Sequence, residues 1–245
     1  MQKEDVARLF TTPVDSPAYA PARYRFTNRE YLNIYYRTDP EMVRRLVPEP
    51  LTVTDPIVRF EIMRMPDTTG LGDYTEAGQL IAVEHEGEKG EFNLAMYVDS
   101  VPAISSGREY SAYPKKSGSP TLYVDSDTLV GTLDYGTLRV ATATMGYKHH
   151  AMDQAEARAQ VCSPNFMVKT IPDYDGNLRV CDLVRTRITD VTVKSAYTAP
   201  ARLELFAHAM APLADLPVLE VVGASHILTD LTLSPVEPVF DYLTA

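Results

Sequence analysis

IVRFEIMRMPDTTGLGDYTEAGQLIAVEHEGEKGEFNLAMYV, residues 57–98, decides the fold class. Three runs within it, IVRFEIMRM, QLIAVEHE and EFNLAMYV, alternate apolar with polar residues or gather β-branched and aromatic ones, as strands do. EGEKG between the last two is a turn signal. No segment of helical period separates the runs. Successive strands can therefore pair as antiparallel neighbours, whereas a parallel pair needs a long crossover, usually a helix.

The same pattern extends outward in both directions. REYLNIYYRT precedes the segment, and LRVATATMGYK, NFMVKTI, RITDVTV and ARLELFAH follow it, with LDYGT and DYDGN as turns. Helical signals are few and short. KEDVARLF is amphipathic, and AMDQAEARAQV is rich in good helix formers. In DPEMVRRLVPEP, Asp39 can cap, Pro40 suits the first helical position and Pro48 stops the helix. These readings predict a mainly β (α+β) fold: an antiparallel β-barrel or double-sheet sandwich carrying a few short peripheral helices. The 18 prolines are scattered, and no repeat or linker-like cluster breaks the chain, so a single domain spanning residues 1–245 is expected.

The chain has 245 residues, 45% of them hydrophobic, enough for a substantial core. With 23 basic and 33 acidic residues the formal net charge is −10, which argues against nucleic acid and anionic membranes as partners. The opening MQKEDVARLF has no apolar stretch resembling a signal peptide. No run approaches the roughly 20 apolar residues that span a bilayer, and a cytoplasmic location is expected. Cys162 and Cys181 are expected to be two free, buried thiols. If NFMVKTIPDYDGNLRVCDLV is a hairpin turning at DYDGN, Ile171 lies near Leu178, and Cys181 lies opposite a residue near Val168, well away from Cys162.

The common chemical signatures are missing. TTGLGDYTEAG lacks the spacing of a dinucleotide fingerprint, and there is neither a P-loop nor a Gly-x-Ser-x-Gly elbow. His149 and His150 are adjacent, so on a strand they point to opposite sides and cannot clasp one metal. His85, His208 and His226 are isolated and read as ordinary polar residues. What stands out is SAYPKKSG, residues 111–118, with Lys115 and Lys116 side by side. Pro114 and Gly118 give the pair rigid flanks. By itself the pair reads first as a solvated turn, and second as an amine nucleophile with a charged neighbour.

The context of that pair resembles a known family. REYSAYPKKSGSPTLYVDSDTLVGTLDYGTLRVATATMGYKH is similar to the signature region of the acetoacetate decarboxylases. FTNREYLNIYYRTD, PEPL, VRFEIMRMPDTTGLGDYTEAGQ, IPDYDG and FAHAMAPLADLPV extend the likeness in order over nearly the whole chain. The resemblance implies decarboxylation of a small β-keto acid through a lysine Schiff base, with neither a metal nor an organic cofactor, in a large homo-oligomer. It implies Lys115 as the nucleophile and Lys116 as its electrostatic partner. Arg29 would bind the substrate carboxylate, to which its fork is matched. Glu61 would orient Arg29 or handle protons, unless it simply pairs with Arg59 on its own strand face. Glu76, on a glycine-flanked loop that could close over the site, would relay protons or repel the substrate carboxylate. Tyr113 and Met96 would be apolar walls, with core packing the stronger reading for Met96. An ordinary lysine, near 10.4, is almost wholly protonated at neutral pH. Burial disfavours the charged amine, whereas neighbours on a strand point apart. Desolvation of Lys115 is therefore expected to matter more than repulsion from Lys116. Two rivals stay open: an aldolase or dehydratase using the same iminium without decarboxylation, and a non-catalytic ligand-binding β-barrel.

Overall fold

A computed structural model describes residues 1–21 and 23–244. In chain order its elements are α1 (Lys3–Val6), β1 (Arg25–Arg37), α2 (Pro40–Leu46), β2 (Thr52–Thr68), β3 (Gly72–His85) and β4 (Glu88–Val98). Next come α3 (Val101–Glu109), β5 (Lys115–Ser117), β6 (Ser119–Asp125), β7 (Thr128–Tyr135), β8 (Leu138–Gly146) and β9 (His150–Ala151). The rest are α4 (Gln154–Val161), β10 (Asn165–Pro172), β11 (Leu178–Thr186), β12 (Ile188–Thr198), β13 (Ala201–Leu205), β14 (Glu220–Leu233) and β15 (Glu237–Asp241).

The fold is mainly β, with two sheets packed as a sandwich and a few short helices, as the strand pattern predicts. An 11-stranded sheet runs β15-β11-β10-β4-β3-β2-β1-β14-β12-β9, with β5 attached to β4. A 4-stranded sheet runs β13-β8-β7-β6. Pairing is antiparallel except where β4 meets β10 and β5. Among the described residues, no helix is long and apolar enough to cross a membrane.

Alternation along the strands divides the large sheet into two buried faces. Leu32, Ile34, Phe60, Ile62 and Tyr97 pack with Leu129, Leu133 and Val140 of the small sheet. The opposite face carries Tyr31, Met63, Met65, Tyr74 and Met96, covered by Ala103 of α3 and by Ala157 and Val161 of α4. Both faces are apolar, so β1 to β4 read as nearly continuous hydrophobic runs at their centres.

The structure corrects the sequence reading in several places. DYTEAGQ is not a loop: β3 already begins at Gly72, so Glu76 stands on a strand in register with Met63 and Val98. Lys115 and Lys116 lie on strand β5, not in a solvated turn. Helix α3 was not foreseen, although Ser100 accepts a hydrogen bond from the Ala103 amide as its N-cap and a proline lies in the first turn. The hairpin at DYDGN forms with a different register, which sets Ile171 opposite Val180, Pro172 opposite Leu178 and Cys181 opposite Thr170. Both cysteines are free, as expected, but half-buried rather than buried. The N-terminal helix stops at Val6.

Candidate active site

Two irregularities in the large sheet aim side chains into one cavity on its helix-covered face. In β1, the pairing with β14 slips between Phe26 and Arg29, and Asn28 is left-handed at φ 57°. Its amide donates to Asp230 (2.8 Å), and the Lys194 ammonium donates to its side-chain oxygen (2.6 Å). A bulge inserts one residue and breaks the two-residue alternation. Tyr24, Phe26, Arg29 and Tyr31 can therefore all line the same cavity. In β4, Ala95 pairs with Gln79 but Asn93 with Leu80, leaving Leu94 as the extra residue. Met96 and Asn93, three apart, consequently line the cavity together.

Lys115 enters from β5, which pairs in parallel with β4 at Met96. The chain before it is held by the Tyr113 amide, which donates a hydrogen bond to the Gly107 carbonyl (2.8 Å), and Arg108 donates to the Lys115 carbonyl (3.2 Å). The side chain passes α3 at Gly107, where an added β-carbon would lie 2.6 Å from Cδ and 2.8 Å from Cε. It is 6% exposed. Its Nζ lies 2.7 Å from Glu76 Oε2 and 5.5 Å from the ring centroids of both Tyr74 and Tyr113. Lys116 is not part of this cavity. On the other face of β5 its ammonium donates to the Met210 carbonyl and sits 5.1 Å from the ring centroid of Tyr135. Adjacent residues of a strand diverge in this way, so the two ammonium groups leave β5 on opposite faces, as the alternation of a strand predicts.

Arg29 is buried between two rings, its Cζ 4.9 Å from the centroids of both Phe26 and Tyr31, and Nη2 reaches the Met63 sulfur. Among the described residues it makes no ion pair, and its Nε has no hydrogen-bond partner. Burial works against its charge, but Tyr31, Glu76, Tyr74 and Glu61 together hold the guanidinium above its ordinary value. Glu61 pairs with Arg59 (3.4 Å), and Arg59 also reaches Glu91 (2.7 Å). Burial pushes the Glu61 carboxyl up, the nearby Glu76 carboxylate adds to this, and Arg59 and Arg29 oppose it. A β-carbon on Gly78 would lie 3.2 Å from Glu61 Oε1, so that glycine gives the carboxylate its room. Burial also raises the phenols of Tyr31, Tyr74 and Tyr113, which remain neutral donors.

The cavity so built measures ≈ 50 Å³. The structure brings Lys115, Glu76, Arg29, Glu61, Tyr113 and Met96 to its lining and leaves Lys116 out. Sequence reasoning missed Tyr31 and Tyr74, although each stands two positions from a named residue on the same strand face. It took Arg59 only for a structural partner, and it missed Asn93 because no sequence pattern announces the bulge. Chemically, the cavity combines a desolvated amine with a carboxylate in contact and a guanidinium that no carboxylate pairs among the described residues.

The family model described as "Acetoacetate decarboxylase (ADC)" matches residues 9–243. An acetoacetate decarboxylase of Streptomyces nogalater is 64% identical over 243 residues, 99% of this chain and 100% of that protein. A structure from "Structural Studies of Acetoacetate Decarboxylase" superposes with a TM-score of 0.98 at 59% identity, covering 100% of both chains. The acetoacetate decarboxylase of Legionella pneumophila superposes at 0.92 with 43% identity over 96% of this chain and 95% of its own. The chain belongs to the acetoacetate decarboxylase family.

Proposed function

We propose that this chain is a carboxy-lyase that converts acetoacetate to acetone and carbon dioxide through a Schiff base on Lys115. One observation carries the reading: a buried lysine contacts a carboxylate while an unpaired guanidinium shares its cavity. Arg29 takes the substrate carboxylate through its fork. Glu76 accepts a proton from the Lys115 ammonium, and the neutral amine attacks the ketone carbon. Loss of water leaves an iminium, and the bond to the carboxylate breaks with its electron pair flowing into that cation. The resulting enamine takes a proton at carbon, and water releases acetone and the free amine. Overall, acetoacetate anion and one proton become acetone and carbon dioxide, so each turnover draws one proton from solvent. Tyr113 and Met96 wall the reacting carbons, and Glu61 sets the field around Arg29. Lys116 has no direct part in these steps.

Borohydride reduction in the presence of acetoacetate should fix an isopropyl group on Lys115, detected by mass, with carbon dioxide released in parallel. Lys115→Ala should abolish both. An adduct without gas would indicate an aldolase or dehydratase, and neither signal would indicate a ligand-binding protein. Arg29, which makes no ion pair among the described residues, fits a substrate that carries a carboxylate, and gas release separates the decarboxylase from an aldolase or dehydratase acting on small keto acids.

A homo-oligomeric, cytoplasmic enzyme built as one domain completes the reading. Tyr123 and Val124 are exposed on β6, an edge of the small sheet, and apolar edges favour association. Light scattering after gel filtration tests the assembly.

A further inference from the structure

Six formally charged side chains meet at the cavity and just behind it: Arg29, Arg59 and Lys115 against Glu61, Glu76 and Glu91. Their formal charges balance, three against three, but their pairing does not. Lys115 has Glu76 to itself (2.7 Å), Arg59 holds both Glu61 (3.4 Å) and Glu91 (2.7 Å), and Arg29 has no carboxylate among the described residues. The Glu61–Arg59–Glu91 group thus carries a formal −1 beside an unpaired +1. A buried cation in that position should draw a carboxylate to itself, since low dielectric strengthens the attraction.

Glu61 is placed to be that carboxylate. β1 and β2 pair with Tyr31 opposite Met63 and Asn33 opposite Glu61, and Met63 is the residue whose sulfur Arg29 touches. Arg29 and Arg59 both favour the ionised form of Glu61, so the two guanidinium groups compete for it. On the Arg59 side the contest is backed by Glu91. Its carboxylate makes the shorter of the two contacts to Arg59, and β4 holds its amide on the Pro164 carbonyl (2.8 Å). Gly78 leaves the space that the Glu61 carboxylate fills there.

We propose that Arg59 and Glu91 are positioning residues that hold the Glu61 carboxylate away from Arg29, and so keep the Arg29 fork vacant for the carboxylate of the substrate. In this arrangement Glu91 anchors Arg59, Arg59 retains Glu61, and the guanidinium facing the reacting centre stays open. The groups that act on Glu61 are Arg29, Tyr31 and Tyr35 from β1, Arg59 from its own strand, Glu76 from β3, Glu91 from β4 and Tyr113 ahead of β5. Of these only Arg59 and Arg29 are cations, so a Glu61 released by one has the other as its destination.

The inference rests on the decarboxylase reading, and its test uses a probe that does not require Schiff-base chemistry. Butyrate is a four-carbon carboxylate without a ketone, and its dissociation constant can be measured by calorimetry on the full-length protein. Arg59→Met/Glu91→Gln should weaken butyrate by about tenfold or more, the scale of one lost charge-assisted contact. Adding Glu61→Gln to that double variant should restore binding to within about threefold of the wild type. A merely structural role for Arg59 gives no such rescue. Unchanged butyrate affinity in the double variant, a loss that Glu61→Gln does not reverse, or no butyrate binding by the wild type would each overturn the proposal. Should circular dichroism show the double variant unfolded, Arg59→Lys takes its place, because a lysine cannot bridge two carboxylates as the fork does. A weaker defect that Glu61→Gln again rescues is then expected, and no defect, or one without rescue, overturns the proposal. Borohydride trapping on wild-type Lys115 reads the parent function separately: trapping with unchanged butyrate binding defeats this inference alone.

Discussion

A β-carbon added at Gly107 would sit 2.6 Å from Lys115 Cδ, closer than carbon atoms approach, so that glycine is what lets the amine reach Glu76. Gly107→Ala should therefore displace Lys115 without unfolding the protein. Alanine is the better helix former by roughly 0.5–1 kcal/mol in a helix interior, which offsets part of the strain. A misplacement near 1 Å at a reacting group costs on the order of 100-fold in rate. kcat/KM for acetoacetate should fall by about that factor while the thermal midpoint stays within a few degrees. Equal loss of activity and of fold would show that Gly107 serves packing alone. At this scale the sequence was legible where the resemblance supplied the residue, as with Lys115 and Arg29, or where alternation did, as with the Arg59–Glu61 pair. It was misleading at Glu76, because the glycines beside it read as a loop. Gly78 is there to make room for Glu61, not to turn the chain.

Among the elements, strands with clean alternation were legible and their irregularities were not. β1 is recognisable from its aromatic and β-branched run, but nothing in TNREY announces that Asn28 takes a left-handed conformation. That one residue shifts alternation so that Phe26 and Arg29, three apart, stack together. Asparagine tolerates this conformation, and glycine adopts it freely. A β-branched residue pays about 1–2 kcal/mol for it. Asn28→Val should lower unfolding stability by about that amount in urea titrations and reduce decarboxylation with it, whereas Asn28→Gly should stay within about 0.5 kcal/mol of the wild type and keep its activity. Equal stability in the two variants would mean that the bulge does not depend on this residue's backbone. Helix α3 escaped the reading for a related reason. Its segment VPAISSGRE carries two serines and a glycine in place of strong helix formers, and its buried positions are Ala103, Ser106 and Gly107. Those small residues let the helix lie close over Lys115. The composition that suits the site hides the helix.

Across the whole molecule, the division of the large sheet into two buried faces explains why one lysine of the pair sits in the cavity and the other faces the small sheet. Alternation made the two-sided strands visible, but strand order was not readable, since β14 inserts between β1 and β12 from the far end of the chain. Burying both faces also buries or half-buries a few carboxylates, and their effects on stability have opposite signs. Burial pushes Glu61 and Glu91 up. The folded state then binds their protons more readily than the unfolded chain does, and ionising them costs stability as pH rises above the ordinary carboxylate value. Glu30 runs the other way: the hydrogen bond with His226 (2.8 Å) holds its carboxyl below the ordinary value, despite partial burial. Its contribution is present above the unfolded value near 4.5 and is lost as pH falls through the lower folded one. Glu30→Gln should therefore be less stable than the wild type at pH 7, and the gap between them should close progressively as the pH drops below 4.5. Urea unfolding of both proteins at half-unit steps from pH 7 to about 3 reads this directly. A gap that stays constant over that range would mean that Glu30 contributes packing rather than charge.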